Sequence, residues 1–179
     1  MKATGIVRRI DDLGRVVIPK EIRRTLHIRE GEPLEIFTTG DGEVVFKKYS
    51  PIGEMAASAR QVVDVVQRSG GLTCAVCDRD HIIAIAGLPK KDFVERRITH
   101  ALEKAIEARR TYVQGQSGAE LIAIEGHTGY ASIVVPILAG GDISGAVFAL
   151  TTEASERPSE LDVKLVTVAA GFLGKQVEE

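Results

Sequence analysis

The sequence of 179 residues predicts a two-domain α/β protein of the α+β type, in which a small β-rich domain precedes a larger antiparallel sheet flanked by helices. Short β-branched segments separated by glycine turns dominate the first part of the chain. A helical apolar period begins directly after Pro51 and Gly53, which interrupt both helix and strand. Two long apolar segments, 130–138 and 143–151, then enclose a glycine turn. We therefore expect a first domain at 1–50, a linker at 51–53 and a second domain at 54–179.

The first domain opens with two predicted strands joined by a turn. Residues 6–10 and 15–18 are rich in isoleucine and valine, which favour strands. Asp11-Asp12-Leu13-Gly14 lies between them, and its glycine accommodates the positive φ that many tight turns require. The cations of these segments are Arg8, Arg9 and Arg15.

A short helix is predicted directly after the second strand. Pro19 suits a helix start because its missing N–H would have no intrahelical partner there. Ile22 and Leu26 are four residues apart and share one helical face. At about 100° per residue, the cations of this segment lie on the arc away from that face. These cations are Lys20, Arg23 and Arg24.

The rest of the first domain has the pattern of a β-hairpin. Residues 34–38 and 43–48 are the predicted strands, and the pair Asp41-Gly42 favours a type I′ turn between them. A domain of this size buries only about 60% of its extended surface and is marginally stable alone. We therefore expect the first domain to form an obligate pair, which would also double its set of arginines.

Positive charge is concentrated at the start of the chain. Residues 1–29 contain eight Lys and Arg against three Asp and Glu, whereas the whole chain has a formal charge of −2. The overall charge therefore gives no indication of nucleic-acid binding. A local group of arginines among core-forming residues is nevertheless the form that a DNA contact surface takes, and arginine suits bidentate contact with phosphate and guanine. An ordinary solvated surface is the alternative explanation for such a charge run.

The basic segment and the hairpin together match a known pattern. The matching positions are Lys2, 4–8, 13–19, 23–26, 34–36 and 47–49. In these positions the chain resembles the AbrB family of bacterial transition-state regulators. The resemblance implies a swapped-hairpin β-barrel made by two intertwined subunits, which binds double-stranded DNA through a basic face. It implies DNA contacts by Arg8, Arg15, Arg23 and Arg24, with Arg9 as a further candidate. His27 occupies a position at which the family leads us to expect glycine.

The second domain is predicted to follow the order helix–β–β–helix–β–β–β–helix. Asp92, with Glu95 three residues on, has the spacing of a capping box and predicts a helix that continues to about Arg110. Pro158 and Ser159 predict the start of the last helix. The first and last helices carry apolar seams, which we expect to pack together and against another subunit. The seams are Met55, Ala59, Val62 and Val66 in the first helix, and Leu161, Leu165, Val168 and Phe172 in the last.

Paired first domains and paired helical seams together predict a homotetramer. Residues 135–137 followed by 140–147 resemble the paired central strands of GAF domains, over a region of about 54–179. PAS-like folds fit the same pattern. GAF domains usually bind small molecules or mediate dimerisation, so the resemblance implies a sensory or oligomerising role. The signature of cyclic-nucleotide-binding GAF domains is not visible, and no cofactor is assigned. The loops at 112–130 are expected to form one wall of any ligand pocket.

Two further motifs suggest chemistry, and both favour a structural interpretation. Cys74 and Cys77 form a Cys-x-x-Cys motif, which is typical of zinc and redox sites. Positions three apart in a strand point to opposite faces, however, and the four histidines are scattered along the chain. We therefore expect buried structural cysteines and no metal site. The glycines at 115–118 and 140–141 do not fit a phosphate-binding loop and predict turns.

The sequence as a whole predicts a DNA-binding transcription regulator of bacterial developmental genes, acting as activator or repressor, without catalytic residues. One alternative is a GAF-type enzyme that uses Cys74 or Cys77, which requires an exposed thiol of low pKa. Another is an antitoxin of the same N-terminal class, although antitoxins commonly end in a disordered tail. The sequence shows no signal-peptide pattern and no apolar run of about 18 residues. A cytoplasmic, nucleoid-associated protein without a membrane partner is therefore expected.

Overall fold

The computed structural model describes residues 4–116, 120–155 and 157–179. The chain separates into two compact units, of which the first ends at Tyr49 and the second begins at Ser50. Among the described residues, no helix has both the length and the apolar character needed to cross a membrane.

The first unit contains one helix and one hairpin. Helix α1 spans Lys20–Thr25, strand β1 spans Leu34–Thr38 and strand β2 spans Val44–Lys48. The two strands pair antiparallel, with Leu34 opposite Lys48 and Thr38 opposite Val44. The predicted helix and hairpin are therefore confirmed.

The predicted type I′ turn of this hairpin is wrong. The turn has four residues and is closed by the amide of Gly42, which donates to the carbonyl of Thr39 at 3.1 Å. Gly42 has a φ of 80°, whereas neither central residue of the turn has a positive φ. A type I′ turn needs positive φ at both central residues. Because Gly42 closes the turn instead of lying at its centre, it supplies the one left-handed conformation that the turn requires.

The predicted strands at 6–10 and 15–18 do not form within this chain. The two segments are extended on either side of a turn, and no ladder joins them. Strand structure requires hydrogen-bond partners along both segments, and here only the end nearest the turn is bonded, by Asp11 and Arg15. The residue pattern indicates strand propensity but does not identify the partner strand.

The first unit lacks a core of its own. None of residues 4–49 is buried. Large apolar side chains of the N-terminal segment are open to solvent, with Val7 86% exposed and Leu13 and Val17 both 71% exposed. The outward positions of the hairpin add Ile36 and Val44 to this set.

Residues 51–53, predicted as a linker, belong to the second unit. They lie in a short helix, α2, which spans Pro51–Glu54. Ser50 caps this helix by accepting a hydrogen bond from the amide of Gly53 at 3.1 Å. Proline is tolerated in the first turn of a helix, and the side chain of Ile52 is fully buried. Local cap chemistry and burial therefore outweigh the interrupting effect of proline and glycine.

The second unit is a five-stranded antiparallel sheet with helices on both faces, as predicted. Strand order in the sheet is β4-β3-β7-β6-β5. The strands are β3 (Thr73–Cys77), β4 (Ile82–Ala86), β5 (Tyr112–Val113), β6 (Tyr130–Ala139) and β7 (Asp142–Thr151). The helices are α3 (Ala56–Gly70), α4 (Lys90–Phe93), α5 (His100–Glu107) and α6 (Glu160–Glu178). The apolar run at 121–124 forms only isolated bridges, and the fifth strand of the sheet is β5, at its edge.

Two apolar cores lie on opposite faces of this sheet. One core packs α3 and α6 against alternate residues of the strands, including Val76 and Val147. The other packs α4, α5 and the segment at 121–124 against the intervening residues, including Ala75 and Phe148. Residues of β3 and β7 alternate between the two cores, as the two-residue period of a strand requires, whereas register shifts interrupt the alternation in β4 and β6.

The single helix predicted from Asp92 to Arg110 is interrupted. Between α4 and α5 the chain pairs with the β3–β4 turn and with β4. The amide of Glu95 donates to the carbonyl of Ile82 at 2.9 Å, and the amide of Ile98 donates to the backbone carbonyl of Asp80 at 3.0 Å. Thr99, not Asp92, caps α5, and its hydroxyl accepts from the amide of Leu102 at 3.2 Å. Pairing with another segment therefore overrides the helical period.

Helix α6 begins as predicted, at a capping box formed by Ser159 and Asp162, but its predicted seam is not the face that packs on the sheet. Leu161, Val168 and Phe172 are exposed. The face against the sheet is formed by Val166, Ala169, Ala170, Leu173 and Gly174. A Cβ atom at Gly174 would collide with the carbonyl oxygen of Leu138, so this glycine lets the helix lie close against β6.

Candidate nucleic-acid interface

The turn at Asp11 holds Arg15 in a defined orientation. One carboxylate oxygen of Asp11 accepts from the amides of Leu13 at 3.1 Å and Arg15 at 2.7 Å. The other accepts from Nε of Arg15 at 2.7 Å. Gly14 closes the turn with a φ of 77° and donates its amide to the carbonyl of Asp11 at 3.0 Å.

These contacts leave Arg15 fixed at its base and open at its tip. The hydrogen bonds from the Arg15 backbone, then from its side chain, hold the pKa of the Asp11 carboxyl below its ordinary value. The side chain of Arg15 is 70% exposed. Because Asp11 uses the Nε edge of the guanidinium, the edge formed by the two Nη atoms faces outward for a second acceptor. Asp11 was not singled out by the sequence, although an aspartate opening a tight turn is a recognisable signal.

Arg8 and Arg9 lie on the extended segment that enters this turn, and both are exposed. Arg23 and Arg24 lie in the last turn of α1. Arg24 is exposed, whereas Arg23 is half-buried and its Nε atom is buried without a hydrogen-bond partner in the described part of the chain. The five predicted arginines thus border one turn and one helix end. Their contact with DNA stays a prediction.

The C-terminal end of α1 is closed by a Schellman motif. The amide of Ile28 donates to the carbonyl of Arg23 at 2.8 Å, and the amide of His27 donates to the carbonyl of Arg24 at 3.3 Å. This motif requires a left-handed residue at His27, whose φ is 54°. The position at which the sequence resemblance leads us to expect glycine therefore has glycine-like geometry. A non-glycine residue accepts this conformation at a cost of about 1–2 kcal/mol.

A cluster that the sequence did not reveal lies next to this helix end. The carboxylate of Glu32 accepts from the backbone amide of Arg29 at 2.8 Å and from its Nη1 atom at 3.3 Å. Lys48 lies on β2, and its Nζ atom is 3.8 Å from Oε2 of Glu32. The same Nζ atom donates to the carbonyl of His27 at 2.6 Å. These residues join the helix end, the following loop and the hairpin.

The cysteines of the second unit are unsuited to metal or redox chemistry. Cys74 packs in the core that contains α3 and α6, whereas Cys77 packs in the core on the opposite face. Burial raises the pKa of the Cys74 thiol to about 12. Burial, followed by the negative charge of Asp78, raises the pKa of Cys77 as well. The described residues contain no group of three or more His, Cys, Asp or Glu side chains positioned to hold a metal ion.

The glycine-rich region at 112–130 is only partly a loop. Gln114 follows β5, is buried, and donates from Nε2 to the carbonyl of Ala154 at 2.5 Å. The predicted turn at 115–118 includes Ser117 and Gly118, which lie outside the described residues. His127 is half-buried and its ring meets that of Phe93 edge-on, at 5.1 Å between centroids. Burial, then the charge of Arg96, lowers the pKa of His127.

The first unit carries exposed arginines and buries none of residues 4–49, and the second unit is a five-stranded antiparallel sheet with helices on both faces. This is the organisation of a two-domain transcription regulator. Comparison with known proteins identifies the family. Residues 54–178 match the family described as stage V sporulation protein T C-terminal, transcription factor. Residues 7–54 match the family described as antidote-toxin recognition MazE, bacterial antitoxin. The chain belongs to the stage V sporulation protein T family of transcription factors.

Individual relatives agree with this assignment. The chain is 47% identical to stage V sporulation protein T of Bacillus subtilis over 180 residues, which covers 100% of both chains. It is 46% identical to the transition state regulatory protein AbrB of B. subtilis over 71 residues, covering 40% of this chain and 73% of that one. The second unit has the fold of the GAF domain from an Acinetobacter phosphoenolpyruvate-protein phosphotransferase. The alignment covers 69% of this chain and 81% of the chain of that structure, with a TM-score of 0.54 and 11% sequence identity.

Proposed function

We propose that this protein is a DNA-binding transcription regulator of bacterial developmental genes, sporulation genes among them, and that it contacts double-stranded DNA through arginines of its paired first units. The observation that carries the proposal is the turn at Asp11. It fixes Arg15 by its Nε edge and presents the other edge to solvent. A guanidinium held in this way suits a phosphate or the edge of a guanine.

Pairing of the first units follows from their missing core. An isolated unit that buries none of residues 4–49 leaves a large apolar surface in water. A second copy of the same unit would cover that surface and give partners to the extended segments at 6–10 and 15–18. The swapped-hairpin barrel of the AbrB family is the arrangement we propose. A two-fold axis would then present each arginine twice.

DNA binding by such a pair would rest on phosphate neutralisation and DNA shape. Arg8, Arg9, Arg15, Arg23 and Arg24 are the residues we assign to contact DNA. Helix α1 has only six residues, so we do not expect it to read the major groove as the recognition helix of a helix-turn-helix protein does. Affinity would therefore fall steeply with salt, and target choice would depend partly on groove geometry.

The second unit serves oligomerisation or ligand sensing in this proposal, and it is not an enzyme. A thiol-based reaction requires an accessible thiolate. Both Cys74 and Cys77 are buried, and burial raises the pKa of each thiol and so disfavours the thiolate. The exposed stripe of α6, formed by Leu161, Val168 and Phe172, is the surface that we assign to contact with another subunit. With paired first units, it would build a homotetramer that acts on the nucleoid in the cytoplasm.

An antitoxin role is the second function consistent with the N-terminal match. That match covers residues 7–54 only, and the rest of the chain is a folded domain of a transcription-factor family. The regulator is therefore the function we favour.

The test is DNA binding by wild type and the Arg8→Ala/Arg15→Ala variant across a salt series. A control of equal charge is Arg60→Ala/Arg68→Ala, which removes two exposed arginines from α3. We expect wild type and control to bind with a steep negative salt slope. In the Arg8/Arg15 variant, the slope of log K against log salt concentration should be less steep by about 3.6. This value follows from roughly 0.9 per phosphate contact and from four arginines removed per pair of subunits. An unchanged slope and affinity in this variant, with the pair intact by light scattering, would refute the assignment.

A further inference from the structure

The carboxylate of Glu32 is nearly inaccessible although it lies in a unit without a core. Its side chain is only 6% exposed, whereas those of its two cationic neighbours, Arg29 and Lys48, are 18% and 25% exposed. A carboxylate removed from water in this way is stable only when cations and amides replace its hydration. Glu32 has both, through the backbone amide and guanidinium of Arg29 and the ammonium of Lys48.

Lys48 transmits this arrangement to the end of α1. Its ammonium group donates to the carbonyl of His27 at 2.6 Å. His27 is the left-handed residue on which the Schellman motif depends, and the motif bonds the carbonyls of Arg23 and Arg24. A continuous series of contacts therefore runs from Glu32 through Lys48 and His27 to the helical turn that carries two predicted DNA contacts.

We propose that Glu32 is a positioning residue for DNA binding: its nearly inaccessible carboxylate holds Lys48 on the carbonyl of His27 and thereby fixes the arginine-bearing end of α1. The proposal rests on the proposed function, because it assumes that this helix end contacts DNA. It assigns a favourable role in DNA binding to an acidic residue.

The sign of the effect separates positioning from simple charge. Removing a negative charge from a DNA-binding surface should raise affinity, because repulsion of the phosphates falls. Removing the charge of Glu32 should lower affinity instead, because Lys48 and Arg29 then lose the counter-charge that keeps them in place. Lys48 is then solvated by water, and the carbonyl of His27 loses the hydrogen bond from Lys48. The left-handed conformation of His27 is stabilised less as a result.

The experiment measures binding of double-stranded DNA by Glu32→Gln and by a matched control, Glu30→Gln, across a salt series. Glu30 lies in the same loop, is exposed, and undergoes the same change in charge. We expect Glu32→Gln to bind about tenfold more weakly than wild type, which is about threefold per subunit and lies within the range for the net loss of one ordinary hydrogen bond in each subunit. Its salt slope should stay the same, since no phosphate contact is removed. Glu30→Gln should bind as tightly as wild type or slightly more tightly.

Rescue by a second substitution tests the route of the effect. Glycine at position 27 adopts a positive φ without strain, so the helix end should need Lys48 less. His27→Gly combined with Glu32→Gln should therefore recover most of the lost affinity. If Glu32→Gln alone does not yield a folded pair, the double variant compared with His27→Gly alone supplies the answer: similar affinities support the route through His27.

Affinity of Glu32→Gln equal to or above that of Glu30→Gln would overturn the proposal, as would a loss of affinity that His27→Gly does not reduce. Failure of the proposed function gives a different result. In that case wild type does not bind DNA, or Arg24→Ala binds as tightly as wild type.

Discussion

The exposed stripe of α6 yields a quantitative prediction about assembly. Val168 is at the centre of this stripe and is 71% exposed. Replacing it with glutamine should leave the fold of the second unit intact, because the residue contributes little to the core. If the stripe is covered by another subunit, the same replacement should weaken association between pairs.

The size of the effect follows from the exposed fraction. Full burial of a valine side chain is worth about 1.5 kcal/mol, so covering the exposed part is worth about 1 kcal/mol. A two-fold interface contains the residue twice, which gives about 2 kcal/mol. This free energy corresponds to a dissociation constant about 30-fold higher, before any cost of burying the amide.

Sedimentation equilibrium over a range of protein concentrations measures this constant directly. Thr167→Gln is the matched control, since Thr167 is exposed, β-branched and about 100° further round the same helix. We expect tetramers of wild type and control, and dimers of Val168→Gln, at a concentration between the two dissociation constants. Equal constants for Val168→Gln and wild type would refute the assigned interface, and an equal shift in Thr167→Gln would refute its position on the helix.

Three further predictions concern single sites. His27→Gly should raise the free energy of unfolding by about 1 kcal/mol, because glycine adopts the left-handed conformation without strain; urea unfolding at fixed protein concentration measures it, and a lower stability would contradict the strain argument. Cys74 and Cys77 should resist thiol reagents in the native protein and react after unfolding, because burial raises the pKa of Cys74 to about 12 and that of Cys77 as well; rapid native labelling would contradict their placement in the cores. The turn at Asp11 should be formed at neutral pH and loosen as pH falls through the lowered pKa of that carboxyl, because protonation removes the acceptor for Arg15; the NMR amide shift of Arg15 should follow this titration, and in Asp11→Asn it should not.

The sequence predicted elements best where local chemistry alone decides them. The turn at Asp11 is specified by an aspartate that accepts the following amides and a glycine that adopts positive φ. The start of α6 is likewise specified by the capping box of Ser159 and Asp162. The arginines of the candidate site were named by position from the resemblance to the AbrB family, and their contact with DNA stays a prediction.

Most of the predictions that failed required a distant partner, whereas the type I′ turn failed locally, because Gly42 closes the turn instead of lying at its centre. The segments at 6–10 and 15–18 have strand propensity, but a single chain offers them no ladder. The helix expected from Asp92 breaks because Glu95 and Ile98 bond to residues 80–82. The cluster at Glu32 has no sequence signature, because its lysine comes from a strand that follows the intervening hairpin turn.

Helix α6 shows most clearly what each level of information determines. From the sequence we could predict that this segment is a helix, where it starts, and that it carries an apolar seam at Leu161, Leu165, Val168 and Phe172. Leu165 is half-buried, and the other three are exposed. Only the tertiary structure shows that a second face packs on the sheet, in which Val166 and Leu173 fill the core beside Ala169, Ala170 and Gly174. Close approach to β6 leaves no room for a side chain at Gly174, so backbone proximity as well as hydrophobicity determines the buried face. Leu161, Val168 and Phe172 are left in solvent, where another subunit is the partner we assign to them.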